Sequence, residues 1–180
     1  MNILITGGSG YIGSVLVEKL LTDLPDGSPY TLNEAPHVTV LDNLMYKQTT
    51  LTQHCHRNNF DFVHGDVRDK ELLTALVADA DVVIPLACIV GMPACTKNIH
   101  AAVAINQEHV QYIADIATTQ KIIYPTTNSG YGVGQVEDGE LVECTEVTPL
   151  NPISLYGKTK VNAENHILDQ GNGICLRLAT

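Results

Sequence analysis

ITGGSGYIG, residues 5–13, sets its glycines between an apolar run and a helical pattern, and that context decides the fold. Gly8, Gly10 and Gly13 satisfy G-x-G-x-x-G, while Gly7, Gly10 and Gly13 also satisfy G-x-x-G-x-x-G. Glycine lacks the Cβ that would block a positive φ and hold the backbone away from a phosphate, and the following helix offers unpaired N–H groups to its charge. A lone match is weak, but this one follows NILIT (2–6) and opens YIGSVLVEKLLTDL (11–24), the strand-turn-helix setting that a dinucleotide cradle requires. Gly7, Gly10, Tyr11, Ile12 and Gly13 are therefore candidate cofactor-binding residues. The competing reading is a tight turn that holds nothing.

Beyond that turn, β-branched runs alternate with longer helical patterns. VTVLD (38–42), FDFVH (60–64), DVVIPLA (81–87), KIIYPTT (121–127) and GICLRLA (173–179) read as further strands. DKELLTALVADA (69–80), a long segment over 98–119 and PISLYGKTKVNAENHILD (152–169) read as helices, with Pro25 and Gly27 ending the first one. The expected fold is α/β, a doubly wound parallel Rossmann sheet of six or seven strands forming one domain over 1–180. Residues 24–37 and 133–151 exceed what such units need; the second is acidic and either lines a substrate cleft or is a solvated loop.

Composition narrows the function classes. Twenty acidic against ten basic residues give a net charge of −10, which repels polyanions and argues against nucleic acid as a partner. No apolar run reaches the roughly 20 residues of a membrane span, and MNILITG opens straight into a strand, so a cytoplasmic protein is expected. Five cysteines, odd in number and never spaced C-x-x-C, read as reduced thiols rather than a disulfide framework or zinc site.

Two further features extend the cradle. Asp42, closing VTVLD and followed by Asn43, stands where a carboxylate accepts hydrogen bonds from the adenosine ribose hydroxyls and repels a 2′-phosphate, which favours NAD over NADP; nearby Lys47 and Arg57 keep NADP in play. In YGKTK, Tyr156 and Lys160 stand four apart on a helix and share one face. A neighbouring ammonium and an oxidised nicotinamide favour the phenolate of a tyrosine whose ordinary pKa is ~10. The pair follows PTTNSGYG (125–132), where Thr126 and Thr127 end a strand at the rim at which open α/β sheets bind ligands.

Taken together, TGGSGYIG, LDNL, HGDVRD, PLAC, TTNSGYG and YGKTK resemble the extended short-chain dehydrogenase/reductase family, most closely its NAD-dependent sugar-nucleotide epimerase/dehydratase branch, over essentially the whole chain. The resemblance implies that Tyr156 is a catalytic base, that Lys160 binds the nicotinamide ribose and lowers the tyrosine pKa, and that Thr127 completes a triad. It also implies that Asp66 and Val67 flank the adenine, that Leu86 and Ala87 line the cofactor near its centre, and that Asn106 is the family's helix asparagine. A nucleotide-sugar substrate and a homodimer formed through the 98–119 and Tyr156 helices follow from it. Three departures qualify it: PLAC stands where H-L-A-A is common; Asn128 and Ser129 replace the Asp-Glu pair of 4,6-dehydratases, which disfavours dehydration; and the chain ends at LRLAT, where the family continues into a C-terminal substrate domain, so a fragment is expected.

Rival readings are an NAD(P)-dependent alcohol dehydrogenase or reductase of the same superfamily and a dinucleotide sensor with no turnover. Adjacent His54, Cys55 and His56 cannot converge on one ion and read as a solvated loop. Cys88 and Cys95 read as small core residues, Met92 and Pro93 as shaping a loop near the cofactor, and His109 and Tyr112 either as partner-facing or as internal packing.

Overall fold

The computed structural model describes residues 1–22, 35–133, 136–137, 140–141 and 143–179. The expected effect of Pro25 and Gly27 lies outside the described residues. Helix α1 (Tyr11–Leu21) follows β1 (Asn2–Thr6) and closes at Thr22, whose N–H and hydroxyl both donate to the Glu18 carbonyl, at 3.0 and 2.7 Å.

Five more strands, β2 (His37–Asp42), β3 (Phe60–His64), β4 (Val82–Pro85), β5 (Lys121–Thr127) and, after a two-residue antiparallel pair β6 (Val136–Glu137) and β7 (Glu140–Leu141), β8 (Gly173–Leu178), join β1 in a sheet ordered β3-β2-β1-β4-β5-β8. All its pairings are parallel. This is the expected Rossmann arrangement, with the strand order reversing between β1 and β4.

Strand alternation sends successive side chains to two separate cores. Leu4, Leu41, Val83, Ile122 and Tyr124 face α2 (Lys70–Ala78), the helical run over 99–116 and α6 (Leu155–Gln170). Ile3, Ile5, Val38, Val40 and Ile84 face α1 and Leu51 on the other side. Full burial of each such aliphatic side chain contributes roughly 1.5–3 kcal/mol. The two faces are unequally covered. The α1 cluster reaches across to Ile84 and Ile123, but Ile174, Leu176 and Leu178 project from the outermost strand at 63%, 45% and 37% exposure.

Helix ends are set by local chemistry. Asp69 caps α2 by accepting from Leu72 N at 3.1 Å, and Ser154 caps α6 by accepting from Gly157 N at 3.0 Å, so each helix starts later than its apolar pattern suggests. Gly171, left-handed at φ 71°, ends α6. Met92 and Pro93, expected in a loop, instead open the short helix α3 (Met92–Lys97), because proline suits a first helical turn. The expected 98–119 helix consists of α4 (Ile99–Val103), a π-helical segment over Ala104–Glu108 and α5 (His109–Ile116).

α6 is tied by polar pairs to the helical run before it: His166 with Asp115 of α5 at 2.6 Å, and Asn162 with Gln107 of the π-helical segment at 3.0 Å. No helix among the described residues is long and apolar enough to cross a membrane.

Candidate active site

A cleft of about 810 Å³ opens along the C-terminal ends of β1, β2, β4 and β5. Its first wall is the glycine turn. Gly7 is left-handed at φ 72° and donates its N–H to the Leu41 carbonyl at 2.8 Å. A Cβ on Gly7 would lie 2.5 Å from Ala87 N, and one on Gly13 would lie 2.6 Å from Gly8 Cα, so both close approaches require glycine. Gly10 starts α1 with no capping side chain and no acid in the first turn. The first helical bond runs from Ser14 N to Gly10 O, leaving the N–H groups of Tyr11, Ile12 and Gly13 as the orphan donors of the helix start. Gly7 and residues 10–14 line the cleft, with Tyr11 93% exposed.

Asp42 is buried at the end of β2, where Oδ2 accepts from Ser9 N at 3.0 Å and Oδ1 from Leu44 N at 2.8 Å. Each oxygen keeps acceptor capacity for a ligand hydroxyl. The following loop is bent by left-handed Leu44 (φ 52°) and Lys47 (φ 57°). Asn43 accepts from Met45 N at 3.0 Å and donates to Asp66 Oδ2 at 3.3 Å. Asp66 lies beside the cleft, outside its lining. Arg68 donates to it through Nε (2.8 Å), Nη2 (2.7 Å) and the main chain (2.9 Å), and holds its carboxyl well below the usual range. Its neighbours Gly65 and Val67 form the wall instead.

Midway, β4 pairs with β5 only through Val82↔Lys121 and Val83↔Ile122, after which the two strands part. Leu86 and Ala87 line the gap, with Ala87 N donating to Thr6 Oγ1 at 3.4 Å. Asn106, in the π-helical segment, lies outside the lining: its Oδ1 accepts from Ile89 N at 2.8 Å and its Nδ2 donates to Ile89 O at 2.9 Å. It holds the backbone next to Cys88. Cys88 is half-buried and belongs to the cleft lining, while Cys95 is fully buried; burial pushes the Cys88 thiol up to about 11, which opposes a nucleophilic role.

Tyr156, Lys160, Thr126 and Thr127 come together at the far end, with Leu178 and Ala179. Lys160 is buried; its Nζ donates to Pro125 O at 2.8 Å and lies 3.9 Å from the centroid of the Tyr124 ring. Burial lowers its pKa to about 8. Tyr156 is half-buried, and desolvation pushes it up to about 12, with Cys88 and Cys95 adding to the rise and the Thr127 hydroxyl opposing it. In the chain by itself burial of the phenol dominates, while the Lys160 ammonium donates to a carbonyl and faces an aromatic ring. Thr127 Oγ1 accepts from Ser129 N at 3.1 Å, capping the 3-10 turn Asn128–Tyr131 and leaving its own proton free.

Behind this end lies a network absent from the sequence reading. Arg177 Nη2 pairs with the buried carboxylate of Glu164, one helical turn after Lys160, at 2.7 Å, and Nη1 donates to Tyr131 OH at 3.0 Å and Glu146 O at 3.2 Å. Among the described residues, none of 143–151 lines the cleft. His54, expected in a solvated loop, is buried edge-on against Phe60 with ring centroids 6.0 Å apart, because Leu51 and Phe60 pack around it; Cys55 and His56 are exposed. His109 is buried within the chain, and Tyr112 OH bonds Thr74 Oγ1 at 2.8 Å, so both serve internal packing.

The family model for the NAD dependent epimerase/dehydratase family matches residues 3–179. The chain is 34% identical over 167 residues to the low-salt glycan biosynthesis protein Agl12 of Haloferax volcanii, covering 91% of this chain and 50% of the relative. It is 28% identical over 164 residues to a dTDP-glucose 4,6-dehydratase of Mycobacterium tuberculosis, covering 91% and 47%. The UDP-glucuronic acid 4-epimerase from Bacillus cereus, solved in complex with NAD, superposes with a TM-score of 0.81 at 27% identity, covering 100% of this chain and 56% of that one. The chain spans about half the length of the curated relatives it matches.

Proposed function

The chain belongs to the NAD-dependent epimerase/dehydratase family, and from that premise we propose that it binds NAD along the cleft and serves the reversible oxidation of a nucleotide-sugar hydroxyl. The observation that carries the reading is that one cleft is lined by both the glycine turn and the Tyr156, Lys160 and Thr127 side chains. The uncapped start of α1, with no acid in its first turn, fits a pyrophosphate, and the buried Asp42 carboxylate fits ribose hydroxyls while repelling a 2′-phosphate. NAD is therefore favoured over NADP.

NAD, when bound, accepts and returns a hydride. In this reading Thr127 donates a hydrogen bond to the reacting sugar oxygen, and Tyr156 takes the hydroxyl proton as the C–H hydride leaves and returns it to that oxygen when hydride is restored to the other face of the carbon. Lys160 holds the ribose and supplies positive charge beside a phenol that burial alone keeps protonated. Asp42 is the one carboxylate among the described lining residues and stands at the adenosine end, so among these residues no acid/base pair beside Thr127 serves loss of water. Epimerisation is the reaction this favours.

A homodimer paired through α5 and α6 belongs to the same reading and is tested by sedimentation. A cytoplasmic location accords with five unpaired cysteines. The chemistry is tested by incubating the protein with NAD and UDP- or dTDP-glucose and following inversion at carbon by proton NMR. Tyr156→Phe is expected to lower turnover about 10³-fold; equal turnover in the variant defeats the proposal.

A further inference from the structure

Tyr156, Lys160 and Glu164 follow one another at intervals of four on α6 and so share one stripe of the helix. The first two line the cleft, whereas Glu164 is 1% exposed and pairs with Arg177 of β8: Nε donates to Oε1 at 2.8 Å and Nη2 lies 2.7 Å from the same oxygen. Glu164 Oε2 is buried and has no partner among the described residues. A buried ion pair left short of hydrogen bonds adds little to stability over apolar residues of the same size, so stability alone does not account for this one.

The other side of the guanidinium points to its role. Nη1 donates to Tyr131 OH at 3.0 Å, the guanidinium carbon lies 5.2 Å from the centroid of that ring, and the tyrosine OH donates onward to Thr145 O at 3.1 Å. Tyr131 closes the 3-10 turn that Thr127 caps by accepting from Ser129 N. This turn lies close against α6: a Cβ on Gly130 would lie 2.9 Å from Val161 Cγ2, and one on Gly157 3.1 Å from Ser129 O. Thr127 and Tyr156 thus come from two elements, and Arg177 ties one element to the other. A planar fork with donors in fixed directions holds such a spacing more tightly than a flexible ammonium could. We propose that Arg177 is a positioning residue, which by joining Glu164 to Tyr131 fixes Thr127 against Tyr156 for the reaction assigned to the cleft. The inference rests on the functional reading above and adds to it a residue outside the cleft lining.

Tyr131→Phe keeps the ring and cuts the link. In the 180-residue protein supplied with NAD and the nucleotide-sugar, this variant is expected to lower kcat about tenfold while the sugar KM stays within about twofold, and to melt within a few degrees of the parent. In unliganded protein carrying carbon-13 at tyrosine Cζ, the Tyr156 resonance, identified by its absence from Tyr156→Phe, is expected to shift in Tyr131→Phe as the Thr127 hydroxyl moves. Glu164→Met combined with Arg177→Met removes both buried charges at once; it is expected to melt at or above the parent's temperature and still to lose kcat about tenfold. An unmoved resonance or an unchanged kcat in Tyr131→Phe overturns the inference alone. So does a double variant with the parent's kcat, because the pair then serves only the fold. A parent without turnover defeats the functional reading and this inference together, whatever the resonance does.

Discussion

The two ends of the cleft are built on opposite plans. At the glycine end the side chains are held in place before any ligand arrives, with only the α1 N–H groups open: Asp42 receives two main-chain N–H groups, Asp66 is clamped by Arg68, and Gly7 is wedged against Ala87. At the tyrosine end the Tyr156 phenol is pushed up to about 12, and burial opposes the charge on Lys160. One end is a mould finished on folding, where shape selects the ligand. The other holds groups in unfavourable states, where a ligand's arrival returns the most free energy.

The contrast breaks most visibly at Gly7. Gly7→Ala combines a disfavoured φ with a backbone clash at Ala87 and is expected to cost about 4 kcal/mol or more, read by urea unfolding, and to abolish NAD binding. A variant as stable as the parent would show slack in the mould. Arg177→Met asks whether the tyrosine end is braced from behind, since it strands the Glu164 carboxylate in the interior; a loss of about 3–5 kcal/mol is expected by the same measurement.

His109 lies in the fields of Lys160 and Asp66, and burial lowers its pKa from 6.5 to about 3. Because the folded pKa is depressed, its contribution is fully present above 6.5 and is lost as pH falls toward 3. Acidification from neutrality to about pH 5 should cost about 2 kcal/mol from this group, and His109→Leu should flatten that part of the stability profile. The smallest effect belongs to the mould's chemistry: Asp42→Asn should narrow the preference for NAD over NADP by about tenfold, ~1.4 kcal/mol, in paired titrations.

The sheet was legible because its signal is local. Ile3 and Ile5 alternate with Leu4, the glycines sit at a strand end, and Tyr156 and Lys160 share a helix face by spacing alone. What escaped depends on contacts distant in sequence. The π-helical turn coincides with Asn106 reaching back to Ile89, and no periodicity announces an i→i+5 register. The raised pKa of Tyr156 reflects burial, which a single helix does not reveal. Glu164 and Arg177 meet from α6 and the outermost strand, so neither residue advertises the other. Arg68 stands two residues from the acid it clamps within HGDVRD, so this pairing is legible in the local order of charges.

The bare side of β8 has a practical consequence. An outermost strand showing Ile174, Leu176 and Leu178 to water, and pairing on only one flank among the described residues, offers both greasy surface and free main-chain groups to its like. Concentrated solutions should scatter light as molecules stack rim to rim. Replacing Ile174 with lysine and Leu176 with threonine should keep them clear while dinucleotide titrations remain unchanged.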